Sequence, residues 1–213
     1  SGNFDAEAYN AFDNRLNVER QRDRLTARGW PWWSWVSATF DDPIVLTHFT
    51  LVPASNDLAP APRNFEIQGS NDGGLTWDTI FLRNKSSDLF TAAYQVLRFN
   101  AGMHYATPPA YRSIRFFGYH HGSPDFRIGE LEYFGKPHIM KVTPLSQNEA
   151  GLPRIEWTSI PSVTYQLERS TDLNIWTALP GDIDSAGTTT RFTDENLPSP
   201  APKTVFYRVR ETE

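Results

Sequence analysis

Cysteine is absent from the 213 residues of this chain. Disulfides, thiolate nucleophiles and cysteine metal sites are therefore excluded together. Long apolar runs are also missing, since no stretch approaches the roughly 20 residues that span a bilayer. The N-terminus, Ser-Gly-Asn-Phe, lacks the basic and apolar regions of a signal peptide. We therefore expect any targeting signal to lie outside this sequence.

Excess positive charge and catalytic motifs are absent as well. Twenty Lys and Arg residues face 25 Asp and Glu residues, a formal net charge of −5, so no global field recruits nucleic acid. The chain contains no GxSxG elbow, no HExxH and no phosphate-binding glycine loop. His120 and His121 are adjacent, and adjacent side chains of an extended chain point apart, so the two histidines make a poor shared metal site. The sequence therefore predicts a non-catalytic protein with no nucleic-acid partner.

Aromatic residues and turn formers are abundant by contrast. The aromatic fraction is 14%, and 16 prolines with 13 glycines predict frequent turns. Strand signals recur at short intervals without a long helical period, so we expect an all-β fold. Val36, Ala38 and Phe40 alternate with polar residues and should share the core face of a strand. Residues 41–43 predict a turn, and 44–52 its return strand.

Two short segments, residues 7–12 and more weakly 19–27, have helical character.

A break in composition near residue 137 predicts two domains, 1–136 and 137–213. The second contains five or six short strands, a spacing typical of a small β-sandwich. No internal repeat joins the two domains.

Several motifs occur in an order and spacing that resemble a known family. They are AFDN (11–14), SWVSATF (34–40), the pair Asn56-Asp57, FEIQGSNDGGLTWDTI (65–80), YRSIRFF (111–117) and IGELEYFG (128–135). Together they resemble the coagulation factor 5/8 type C family of bacterial type. The resemblance implies a discoidin-like, galactose-binding-like jelly roll over residues 1–136. The later motifs IEWTSIPSVTYQLERSTDLNIWTAL and FYRVRE resemble a fibronectin type III-like module, which implies a smaller β-sandwich over residues 137–213.

The family resemblance also implies a structural Ca²⁺. Asp13 and Glu130 occupy the positions of its side-chain ligands, and an oxygen-only site suits this ion. The chain departs from the family at Asn14, where glycine is usual, and at Val18, which has no hydroxyl oxygen. The alternative is that Asp13 caps a helix or loop.

A sugar site on the loops at one end of the jelly roll is the third implication. Sugar binding uses an aromatic ring against the C–H face of a pyranose, with polar groups around it. The candidate residues lie in loops 29–34, 56–63 and 119–126. They are Trp32, Trp33, Asp57, Arg63, Tyr119, His120, His121 and Asp125. Trp30 and Trp35 are expected to pack internally, and each polar candidate could instead be an ordinary solvated surface residue.

These observations predict a carbohydrate-binding module of a larger secreted or cell-surface bacterial protein. We expect a monomer whose partners are polysaccharide or glycoconjugate glycans and the other modules of the parent chain. A protein-docking or adhesion surface is the alternative, because aromatic residues with arginines also suit protein interfaces. Exposed tryptophans beside Arg15 to Arg28 would suit a membrane surface. Glu19, Asp23 and the acidic total charge disfavour that third hypothesis.

Overall fold

The computed structural model of the chain describes residues 12, 25–28, 33–54, 58–59, 61–119, 125–198 and 200–212. The chain divides into two compact units, Ser1–Pro137 and His138–Glu213. Every regular element in these described ranges is a β-strand, which confirms the all-β prediction. In the same ranges, no helix has the length and apolar character needed to cross a bilayer.

Among its described residues, the first unit contains seven antiparallel strands. They are β1 (Leu25–Arg28), β2 (Trp33–Pro53), β3 (Asn64–Ser70), β4 (Asp78–Arg83), β5 (Leu97–Asn100), β6 (Ala110–Tyr119) and β7 (Asp125–Pro137). Their order in the sheet is β1-β7-β2-β6-β3-β4, and β5 pairs with β2. Part of the predicted weak helix 19–27 is thus strand β1, because Leu25–Arg28 pairs with Asp125–Ile128 of β7. Tertiary pairing overrides a weak local propensity there. The remaining residues of both predicted helices, apart from Phe12, lie outside the described ranges.

Strand β2 runs through the predicted turn at residues 41–43, so the prediction of a reversal was wrong. Thr39 pairs with Ser113 of β6, and Ile44 pairs with Tyr111 of the same strand. The chain therefore continues in one direction, and a bulge between Thr39 and Ile44 accommodates the extra residues. Pro43, which has no N–H to donate to a ladder, lies inside this bulge.

Because of the bulge, β2 pairs with two portions of a curled sheet. Its first part pairs with β6, which leads to β3 and β4, whereas residues 48–51 pair with both β5 and β7. The two portions face each other across an aromatic core, where the ring of Phe49 lies 6.5 Å from Phe65 and 5.5 Å from Phe81. Val36 belongs to this core and Phe40 packs against it, as their alternation predicted.

The part of the second unit that the structure describes contains two antiparallel sheets around a core of its own. Its strands are β8 (Ser146–Gln147), β9 (Pro153–Thr158), β10 (Thr164–Ser170), β11 (Thr177–Ala178), β12 (Ile183–Asp184), β13 (Thr189–Thr193) and β14 (Phe206–Glu211). One sheet contains β10, β11, β12 and β14, and the other contains β8, β9 and β13. Trp157 is fully buried with its ring 5.6 Å from that of Tyr165. The fibronectin type III-like assignment of this unit stays a prediction.

Candidate functional site

An aromatic surface covers the outward face of strands β2, β6 and β3. On β6, Ile114 and Phe116 are buried in the core, so the alternating Arg115, Phe117 and Tyr119 point to the other face. The register across the strands brings further side chains to the same face. Trp33 and Trp35 of β2 lie opposite Tyr119 and Phe117, and Glu66 and Gln68 of β3 lie opposite Phe117 and Arg115. We use the name aromatic surface for Trp33, Trp35, Trp77, Phe117 and Tyr119.

Arg115 lies at the centre of one half of this surface. Its guanidinium carbon is 4.1 Å from the ring centroid of Trp77, 5.1 Å from that of Phe117 and 5.8 Å from that of Trp35. Its Nε donates a hydrogen bond of 2.6 Å to Oε1 of Gln68. A guanidinium over aromatic faces is attracted by the ring quadrupoles. Arg115 therefore holds three rings and one amide in a fixed arrangement.

Trp33 and Tyr119 form the exposed half of the surface. The Trp33 ring stacks on Phe117 with centroids 5.4 Å apart and planes at 18°, and Tyr119 packs edge-on against Phe117 at 5.2 Å. Trp33 and Tyr119 are 40% and 38% exposed. Because neighbouring rings support both side chains, their positions cost little further conformational entropy when a ligand binds.

Glu66 connects the polar groups between the rings. Its Oε1 accepts a 2.8 Å hydrogen bond from the Tyr119 hydroxyl, and its Oε2 accepts bonds of 2.7 Å from both Gln68 and Thr79. Burial raises the pKa of Glu66, but these three hydrogen bonds and the nearby Arg115 outweigh burial and leave the pKa below its ordinary value. Glu66 is therefore ionised at neutral pH and accepts only.

This ionised carboxylate fixes the polarity of its neighbours. The Tyr119 and Thr79 hydroxyls both donate their hydrogens to Glu66, so each can only accept a hydrogen bond from solvent or a ligand. Gln68 must turn its amide N to Glu66, since Arg115 can only donate to the oxygen on the other side. The surface therefore presents acceptor oxygens at fixed places beside exposed rings.

Trp77 is positioned by a turn that Asp72 organises. The Asp72 carboxylate accepts hydrogen bonds from the Ser70 hydroxyl at 2.8 Å and from the backbone N–H and hydroxyl of Thr76. The bonds from Thr76, followed by that from Ser70, hold the pKa of Asp72 well below its usual range. The Trp77 indole then donates to the Gly74 carbonyl at 2.9 Å. This turn holds the Trp77 ring against the guanidinium of Arg115.

The same local arrangement recurs in the second unit, although no internal repeat is recognisable in the sequence. Asp172 accepts from the Ser170 hydroxyl, and the Trp176 indole donates to the Leu173 carbonyl. The guanidinium of Arg208 lies 4.4 Å from the Trp176 ring centroid and donates to Glu168. An arginine on a strand that packs against a Trp just before another strand therefore occurs in both units.

Of the predicted sugar-site residues, the structure brings Trp33 and Tyr119 together as direct partners on β2 and β6. Tyr119 is the last residue of β6, so its assignment to a loop was wrong. Arg63 immediately precedes Asn64, the β3 partner of Tyr119, and forms a 2.7 Å ion pair with Asp88. Asp125 begins strand β7, so its assignment to a loop was wrong. Its backbone pairs with that of Arg28. The other four candidates lie outside the described residues: Trp32, Asp57, His120 and His121.

Two tryptophans near the start of β2, Trp33 and Trp35, differ from expectation. Trp33 begins a strand although it was predicted in a loop, and Trp35 lies half-buried on the outward face although it was predicted to pack internally. Both follow from the two-residue period, because Ser34 and Val36 are the buried residues of this segment. The same period in YRSIRFF marks Arg115 and Phe117 as outward-facing and could have identified them from sequence.

The predicted calcium ligands are described only in part. Glu130 lies on β7, opposite Val52, and is 4% exposed. On the same strand, Tyr133 contacts Phe12, with ring centroids 6.0 Å apart. Asp13 lies outside the described residues. In the described ranges, no group of three or more His, Asp or Glu side chains is placed to hold a metal ion.

No family model matches the chain. No curated protein matches it either. Among solved structures, it is similar to a family 32 carbohydrate-binding module from a family 31 glycoside hydrolase of Clostridium perfringens (15% identity, TM-score 0.48, 64% of this chain and 86% of that one). It is also similar to chitosan-binding module 1 of a chitosanase/glucanase from Paenibacillus sp. IK-5 (19% identity, TM-score 0.43, 61% and 85%). A third is the family 32 module of C. perfringens NanJ, solved in complex with galactose (13% identity, TM-score 0.46, 62% and 88%).

Proposed function

We propose that this chain is a non-catalytic carbohydrate-binding module and that its aromatic surface holds the glycan. The observation that carries the proposal is the pair of exposed rings, Trp33 stacked on Phe117 and Tyr119 packed beside it. The C–H groups on one face of a pyranose suit such a ring, and the hydroxyls around the sugar need acceptors and donors nearby. The Tyr119 oxygen, fixed by Glu66, is an acceptor at the edge of that platform.

The length of the surface favours a chain of sugars over a single ring. Arg115 and Tyr119 are four residues apart on β6, about 13 Å at the rise of an antiparallel strand. Trp77 lies against Arg115 at one end and Trp33 faces Tyr119 at the other. A glycan lying along this face would meet aromatic rings at both ends and the Glu66 network between them.

A binding role fits the polar groups better than a catalytic one. Glu66, Gln68 and Arg115 are joined to one another by hydrogen bonds that position rings and hydroxyls. We propose further, from the sequence resemblance, that the chain is a discoidin-like module of a larger secreted or cell-surface bacterial protein. It would act as a monomer that keeps the other modules of its parent close to a polysaccharide.

The test is a glycan array with the full chain and two variants. Trp33→Ala should lose the signal on every glycan that the wild-type chain binds. Phe134→Ala is the matched control, because Phe134 is 38% exposed and stacks on His48 at 4.2 Å but belongs to β7. It should bind as the wild type does. A blank array would overturn the proposal.

Parallel assays separate the two rival functions. A protein-docking surface would leave the array blank while Trp33→Ala abolishes binding to a protein of the same cell envelope. A membrane role would make the chain co-sediment with vesicles containing phosphatidylserine. If either result is obtained without glycan binding, the partner is a protein or a membrane and not a carbohydrate.

We further propose that a structural Ca²⁺ binds at Glu130 and Asp13. Glu130 is a nearly buried carboxylate, the kind of oxygen ligand that Ca²⁺ prefers. Phe12 packs against the strand that carries Glu130, through Tyr133, and Asp13 follows Phe12 in the sequence. Bound Ca²⁺ would tie the N-terminal segment to the sheet.

A further inference from the structure

A cleft of about 470 Å³ lies on the first unit and shares no lining residue with the aromatic surface. Its lining is formed by Phe81, Leu82, Arg83, Asn84, Lys85, Phe99 and His104. Strands β4 and β5 contribute Phe81 and Phe99, and each of these strands pairs with a single neighbour in the described ranges. The cleft therefore opens between two sheet edges, in the size range of small-molecule sites.

The floor of the cleft is aromatic. The Phe81 and Phe99 rings lie 5.1 Å apart, and both pack against the core of the unit. His104 stands edge-on to Phe99 at 5.7 Å. Such a floor suits the apolar face of one six-membered ring.

The charge of the lining has one sign. Arg83 and Lys85 are cationic, and the seven lining residues include no carboxylate. The Arg83 guanidinium donates to the backbone carbonyls of Arg63, Ser87 and Asp88, and in the described ranges it forms no ion pair with a side chain. The Asp88 carboxylate is already paired with Arg63. The Asp88 carboxylate also attracts the Arg83 guanidinium, so Arg83 is not an isolated charge. The seven lining residues nevertheless carry two positive charges and no negative one, which favours the binding of an anion.

His104 adds a hydrogen-bond donor with a fixed direction. Its Nδ1 accepts a 2.9 Å hydrogen bond from the backbone N–H of Asn100, so the hydrogen of the neutral ring lies on Nε2.

The two cations of the lining have different structural roles. A lysine near a sheet edge commonly protects the edge from pairing with another chain. That role is compatible with Lys85, whereas Arg83 is held beside the aromatic floor by its hydrogen bonds to three backbone carbonyls.

We propose that this cleft binds a carboxylate carried on a six-membered ring. The ring would lie on Phe81 and Phe99, and the carboxylate would face Lys85, Arg83 and the His104 Nε2–H. None of the lining residues belongs to the aromatic surface, so binding in the cleft can be tested separately from carbohydrate binding on that surface. The ring could be aromatic or an acidic sugar, which share this chemistry.

Titration calorimetry of the full chain tests the proposal with four probes. Benzoate and glucuronate carry the carboxylate, and benzamide and glucose are their neutral counterparts. At least one acid should bind about tenfold more tightly than its neutral counterpart, the difference expected for one charge-assisted hydrogen bond. Binding of benzoate alone identifies an aromatic acid as the ligand class, and binding of glucuronate identifies an acidic sugar.

Two variants test the location. Lys85 is exposed, so Lys85→Gln should preserve the fold and weaken the acid several-fold. Lys136→Gln removes the same charge from an exposed position on β7 and should have no effect. The proposal is overturned if neither acid binds, if an acid and its neutral counterpart bind equally, or if the two variants weaken binding equally.

Discussion

Replacement of Arg115 should loosen the aromatic surface without unfolding the core. The guanidinium contacts three rings, and its closest contact, with Trp77, measures 4.1 Å. A cation–π contact of this kind contributes about 0.5–1 kcal/mol at a partly exposed site, and the hydrogen bond to Gln68 adds about 1 kcal/mol. We therefore expect Arg115→Ala to cost the first unit about 2 kcal/mol.

Arg115→Lys should cost about half as much, since lysine keeps the charge but loses the planar stacking and the Nε donor. The assay is urea unfolding followed by ¹⁹F NMR of the chain labelled with 5-fluorotryptophan. Its seven tryptophans give reporters in both units, which is necessary because two units need not unfold together. Arg208→Lys is the matched control, because its partner Trp176 belongs to the second unit.

The lysine variant should shift the Trp77 and Trp35 resonances and lower the urea midpoint of the first unit only. The Arg208 variant should move Trp176 and leave Trp77 unchanged. If Arg115→Ala leaves both the midpoint and the Trp77 resonance as in the wild type, the central role of Arg115 is refuted.

Three further predictions concern stability. The folded pKa of Asp72 lies below its unfolded value, so its hydrogen bonds should stabilise the 70–77 turn above about pH 4 and lose that effect as the pH falls through the folded pKa. Asp72→Asn should therefore lower the urea midpoint of the first unit at pH 7 and flatten the pH dependence of that midpoint. An unchanged pH profile would contradict this prediction. Gly69→Ala would place a Cβ 2.3 Å from the Tyr111 ring, so we expect a loss of about 1–3 kcal/mol in the same unfolding assay, and an unaltered midpoint would show that the packing is looser. Ca²⁺ at 100 times its dissociation constant should stabilise the first unit by about 2.7 kcal/mol; Glu130→Gln should remove the effect in a thermal-shift assay, and retention of it would place the ion elsewhere.

Alternation within single strands was the most informative signal in the sequence. It correctly placed Val36 in the core, and the same two-residue period separates the buried Phe116 from the outward Phe117. Local signals were less informative about where strands end. Asp41-Asp42-Pro43 is typical of a turn, yet its neighbours pair with one strand, so cross-strand hydrogen bonding decides the outcome and a bulge results.

The candidate site was predictable only in part. Trp33 and Tyr119 were predicted as site residues because both are aromatic and were expected in the loops 29–34 and 119–126, although both lie at the ends of strands. Their contact depends on the register of β2 against β6, which is set by long-range pairing. Glu66 had no distinguishing motif, because its importance arises from three donors that come from β3, β4 and β6.

The most direct test of carbohydrate binding is a ¹⁹F NMR titration of the 5-fluorotryptophan-labelled chain with the glycan that gives the strongest array signal. Trp33→Phe assigns the Trp33 resonance. We predict that this resonance shifts in a saturable manner while those of Trp157 and Trp176 in the second unit stay in place. Saturable binding that leaves the Trp33 resonance unmoved would contradict the assignment of the aromatic surface as the binding site.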